Sequence, residues 1–108
     1  MAAKLITKEI ATKAMKQFRL GSDMSQLVVA KFFDPYGSGS WFLMNIDPED
    51  GDYCWGIVKG FEVEVGSFSV SELSALRKFG IPRIERDLYF EPRPAKEVYE
   101  DLVAGKHV

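Results

Sequence analysis

The chain has 108 residues, 14 basic and 16 acidic, for a net charge of −2 and a pI near 5.4. That length suits one domain, 1–108, and a composition 46% hydrophobic and 28% charged excludes a disordered chain. So mild a charge argues against a nucleic-acid binder with a basic face and against a DNA mimic built from massed carboxylates, and a lone Cys54 excludes an internal disulfide.

The first pattern is helical. Ile6, Ile10, Ala14 and Phe18 recur at spacing four over residues 5–18, with Thr7 as N-cap and Lys8, Lys13 and Lys16 off the stripe. Gly21-Ser22-Asp23 breaks it. Residues 26–33 form a β-branched and aromatic run, read as one strand. The turn formers of 34–40 join it to a second strand, 41–46, in an antiparallel hairpin. A third strand over 53–58 follows the acidic turn 47–52. Phe61, Val63 and Val65 alternate with Glu62 and Glu64, which predicts a fourth strand with a wet, acidic face.

Ser69 and Glu72 have capping-box spacing, and Phe68 with Leu73 supplies a hydrophobic staple. The predicted helix runs to about Phe79, burying Leu73 and Leu76, with Gly80 as its stop. Alternation predicts a strand over 84–91, ended by Pro92. Pro94 starts a last helix burying Val98 and Leu102, and Gly105 ends it. Strands without βαβ alternation give an α+β fold: a four- or five-stranded, mainly antiparallel sheet with flanking helices. No apolar run reaches signal-peptide or membrane-spanning character, so a soluble, cytoplasmic protein is expected.

Few residues suit chemistry. One histidine, His107, and one cysteine cannot build a structural zinc site, and the turn 47–52 lacks calcium-loop spacing, so no metal or cofactor is expected. Cys54 between Tyr53 and Trp55 reads as a buried, inert thiol. Glu85 and Asp87, two apart on a strand, share a face with Cα atoms about 6.5–7 Å apart, close enough to divide acid and base roles. With Arg86 they are the catalytic candidates. The competing reading is an ion-pair network in which Arg83 or Arg86 pairs with Glu62, Glu64 or Glu72. For partner binding the candidates are Tyr36 and Trp41, beside the Gly-rich loop, and Glu62 and Glu64, on a mildly acidic surface with 47–52.

Together these segments resemble a known family. Leu5-Ile6-Thr7-Lys8-Glu9-Ile10, Lys31-Phe32-Phe33-Asp34-Pro35, Trp41-Phe42, Gly56-Ile57-Val58, residues 64–73, Gly80-Ile81-Pro82 and Ile84-Glu85-Arg86-Asp87-Leu88-Tyr89-Phe90 follow one another in order. The set is similar to a domain-of-unknown-function family of small bacterial proteins met on plasmids, phages and integrated mobile elements. The resemblance implies mobile-element biology and carries over no activity. It breaks at Ser40-Trp41-Phe42-Leu43-Met44-Asn45, where relatives commonly carry Thr-Trp-Tyr and then Glu; Asn45 cannot serve as acid or base. The expectation is a non-enzymatic accessory that binds another macromolecule, a protein ahead of nucleic acid, with interference with a host defence nuclease as one concrete form. The alternative is a small hydrolase or nucleic-acid-processing enzyme using Glu85 and Asp87.

Overall fold

A computed structural model describes residues 4–108. Helix α1 (Lys8–Lys16) starts where Thr7 accepts the Ile10 N–H at 3.1 Å, and a 3-10 turn, Phe18–Leu20, ends it at Gly21. Strands β1 (Leu27–Val28), β2 (Ala30–Phe33), β3 (Ser40–Ile46), β4 (Tyr53–Lys59) and β5 (Val63–Ser69) precede helix α2 (Val70–Ala75). The short pieces β6 (Arg77–Lys78), β7 (Ile81–Pro82), β8 (Glu85–Arg86) and β9 (Arg93–Pro94) lead to helix α3 (Ala95–Val103). The central sheet has five antiparallel strands in the order β5-β4-β3-β2-β8, and the fold is α+β.

Both faces of this sheet are covered, which β3 shows best because Phe42 through Ile46 are all buried. Phe42 and Met44 join Ile57, Val98 and Leu102 on the α3 side, while Leu43 and Ile46 join Ala14, Phe32 and Leu73 on the α1 side. Simple alternation would send Ile46 to the α3 side with Met44. A bulge between Leu43 and Asn45 inserts one residue and returns Ile46 to the face of Leu43. Gly56 faces that bulge, where a Cβ would come within 2.2 Å of the Phe42 carbonyl oxygen.

Five sequence expectations need correcting. The 26–33 run is two strands: β1 pairs with β9, β2 with β3 and β8, and Val29 between them donates its N–H to Leu43 O. The fourth strand begins at Val63; Phe61 lies in the preceding turn, fully exposed. Helix α2 stops at Ala75, because Leu76 is already extended (ψ 132) and enters the β6–β7 hairpin instead of the core. Gly80 therefore serves that hairpin and ends no helix. The strand over 84–91 shrinks to Glu85–Arg86, since the Asp87 carboxylate accepts the Tyr89 N–H at 2.9 Å and turns the chain.

Candidate functional site

A cleft of about 460 Å³ opens at the β8 edge of the sheet. One wall is the β2–β3 loop from Asp34 to Gly39, and the other is the segment 85–89. The loop is a built turn. Asp34 donates its N–H to Gly39 O at 3.0 Å, its carboxylate accepts the Tyr36 N–H, and Arg83 Nε clamps that carboxylate from outside at 2.8 Å. The Arg83 guanidinium, by that hydrogen bond, holds the Asp34 carboxyl below the usual carboxylate range.

Lys31 also lines the cleft. Directly opposite residues of paired strands share a face, so Lys31, Phe33, Phe42 and Glu85 lie together, and Arg86 lies on the other face with Phe32. The Lys31 side chain is buried, with its Nζ 5.8 Å from the Phe42 ring centre and 5.9 Å from that of Phe33. It donates to the main-chain oxygen of Val108 and stands 3.9 Å from the Asp87 carboxylate. Burial pushes the ammonium pKa down; Asp87 pulls it back up, and Lys59 adds to the depression.

The three catalytic candidates all line the cleft but are engaged differently. Asp87 is spent on the Lys31 ammonium and the Tyr89 N–H. Glu85 is exposed in the cleft. Arg86 reaches back to donate to Lys4 O on the α1 side. The expected ion-pair network is replaced by another: among the described residues Arg83 pairs with Asp34, and no ion pair joins Arg83 or Arg86 to Glu62, Glu64 or Glu72. No group of three or more metal-ligating side chains occurs among the described residues.

Of the partner-binding candidates, Tyr36 is exposed in the loop that walls the cleft, outside its lining, and its exposure follows the loop chemistry. Trp41 is half-buried against the α1-side core, its ring edge lying over Gly39. Glu62 and Glu64 lie at the start of β5, near one end of the sheet, and the acidic turn 47–52 lies at the other end. The seven residues of β4 separate them by about 20 Å, so they form no single acidic face. That turn uses its own carboxylates: Asp47 accepts the Glu49 N–H, and Asp50 those of Asp52 and Tyr53. Cys54 is fully buried, its thiol pushed up to about 12 by burial.

Sequence reading missed two features of this surface. Lys31 stands in an otherwise apolar strand core, which was a legible signal. Phe79, whose sequence context predicts a helix, forms with Gly80 a two-residue hairpin turn in which both residues have positive φ, 53° and 79°. Phe79 is 87% exposed, and Lys78 Nζ lies 5.5 Å from its ring centre and 4.9 Å from that of Tyr36. The hairpin thus sits beside Tyr36 through Lys78, next to the loop that walls the cleft. Leu88 and Tyr89, 64% and 92% exposed, form the opposite lip on the turn that Asp87 closes.

The family described as "Protein of unknown function (DUF2958)" matches residues 3–106. The chain belongs to that family. The DUF2958 match spans both cleft walls, the β6–β7 hairpin and α3, so the whole described sheet lies within it. No curated protein and no solved structure gives a significant match. Among the described residues no helix is long and apolar enough to cross a membrane.

Proposed function

We propose that the protein is a non-enzymatic accessory of a bacterial mobile element that acts in the cytoplasm by binding another protein, a host defence nuclease being the concrete form. The mobile-element part rests on the resemblance of the motifs. The binding part rests on one observation: Leu88 and Tyr89 stand exposed on one wall of the cleft, and Tyr36 and Phe79 stand exposed on neighbouring turns, joined through Lys78, beside the loop that forms its other wall. Large aromatic side chains on ordered turns offer contact area at low entropic cost, the property of binding hot spots. The alternative, a hydrolase using Glu85 and Asp87, has its own support in the Glu85 carboxylate sharing the cleft with Lys31 and Asp87.

The deciding experiment immobilises the full chain, exposes it to host cytoplasm and identifies what is retained by mass spectrometry. Tyr89→Ala should release the retained protein, whereas Phe61→Ala, also exposed but away from the cleft, should hold it. Equal retention by both variants would overturn the assignment of the lips. Glu85→Gln keeps shape and removes the free carboxylate. A Glu85→Gln protein that folds and retains its partner but has lost cellular activity would favour chemistry over binding.

A further inference from the structure

The two edges of the five-stranded sheet are built differently. On the cleft side β8 is two residues long and is cut off by the Asp87 turn, so it offers almost nothing to pair with. The other edge, β5, runs seven residues against β4 in unbroken register from Val63 to Ser69. It has no bulge, no proline and no lysine, the devices with which proteins blunt an exposed edge.

The hydrogen-bond parity shows which groups are open. Gly60 N–H donates to Glu62 O at 3.0 Å and Val70 N–H to Asp52 O at 3.1 Å, so the even-numbered residues of the ladder exchange bonds with β4. The N–H and C=O groups of Val63, Val65 and Ser67 consequently point away from the sheet. Among the described residues nothing takes them.

We infer that β5 is a self-association edge whose occupant is the β5 strand of a second copy of this chain, paired antiparallel about a two-fold axis at Gly66. The sequence is self-complementary in that register. Val65 faces Ser67 of the second copy in two symmetry-related pairs, open groups on open groups, for roughly four hydrogen bonds at two per exchanged pair, while Val63 faces Ser69, whose carbonyl is already taken by the start of α2. Glu64 falls opposite Phe68, so no like charges meet. Gly66 meets Gly66 at the axis, a non-hydrogen-bonded pair where Cα atoms approach most closely. Tyr53 and Trp55 lie opposite Ser69 and Ser67 on the same face, and both keep exposed area over these small residues. The valines of the second copy would cover that area. The product is a ten-stranded sheet whose two clefts lie at its far ends, about 40 Å apart by strand spacing.

Sedimentation equilibrium of the full chain, loaded from about 10 µM to about 1 mM, tests this, with amide exchange as a local readout. The expected result is a reversible rise from 12.2 kDa to twice that mass, with protection of the Val65 and Ser67 amides increasing alongside. Ser67→Pro removes an N–H that β4 does not use and should leave a folded monomer, at least tenfold weaker in association. If Ser67→Pro fails to fold, Ser67→Lys places an edge charge beside Val65 of the second copy and should weaken association similarly. A wild-type chain that stays at 12.2 kDa throughout overturns the inference and leaves the edge to a strand of some other protein. A dimer that survives a folded Ser67→Pro or Ser67→Lys overturns it equally.

Discussion

Asp52 carries more of the α2 start than the capping box alone would give it. Ser69 Oγ accepts the Glu72 N–H at 3.2 Å, as the spacing requires, but Asp52 accepts from Ser69 Oγ, Ser71 N–H and Ser71 Oγ at 2.7–2.9 Å. Ser69→Ala should cost about 1 kcal/mol, read as a shift of the denaturation midpoint. The Ser69 hydroxyl first, then the Ser71 N–H and hydroxyl, hold the Asp52 carboxyl below its usual range. A carboxyl lowered by folding contributes stability that is fully present above the unfolded value, about 3.9, and is lost as pH falls toward the folded value. Asp52→Asn should therefore flatten the stability profile below about pH 4, measured by urea denaturation across an acid series. Lys31 gives a second residue-scale test. Lys31→Met removes a buried ammonium at nearly constant volume and should be neutral or stabilising, whereas Asp87→Ala leaves that ammonium with the Val108 oxygen alone and should cost about 1–2 kcal/mol. Their double variant should recover much of the loss.

At the scale of elements, the β6–β7 hairpin sets local stability against the proposed partner contact. A bulky residue in the left-handed region is strained by about 1–2 kcal/mol, and Asn-Gly is the sequence this two-residue turn prefers. Phe79→Asn should raise the stability of the hairpin by roughly 0.5–1 kcal/mol, seen in amide exchange of its own residues, while weakening partner retention. Unchanged retention would remove Phe79 from the binding surface. The β3 bulge makes the opposite demand. Gly56→Ala must push a methyl group into the Phe42 carbonyl and the Phe68 ring, and should cost about 3 kcal/mol in thermal or chemical denaturation.

For the molecule as a whole, the two proposed contact surfaces lie at opposite ends of one sheet. The β8 end carries the cleft and its exposed lips, and the β5 end carries the open ladder. The two can be probed independently. Tyr36→Ala should leave the melting curve nearly unchanged, since the ring is 47% exposed and contacts the Lys78 ammonium instead of the core. It should weaken partner binding by about 1 kcal/mol or more. An early-melting Tyr36→Ala protein would show that the lip is packing and not contact surface.

Composition and local chemistry alone determined much of this. The α1 and α3 stripes, the Thr7 and Ser69 caps, the β2–β3 hairpin and the burial of Cys54 all follow from spacing within one element. So did Tyr36 at an exposed tip. What failed were the segments whose partners are remote. Residues 84–91 alternate as a strand should, but pairing ends where the Asp87 carboxylate claims the Tyr89 N–H and the Lys31 ammonium across the sheet. Residues 76–80 have helix-compatible side chains, yet Leu76 stays 45% exposed outside the core, and the chain turns back as a hairpin clamped by Arg83 on Asp34. Asn45, read as the loss of an acid, is a buried amide donating to Gly21 O and Gln26 Oε1. Residues 17 and 49 positions apart become neighbours in the Ser69–Asp52 and Arg83–Asp34 contacts. Only the register of the sheet decides such meetings, because periodicity specifies which face a side chain takes and not what waits there.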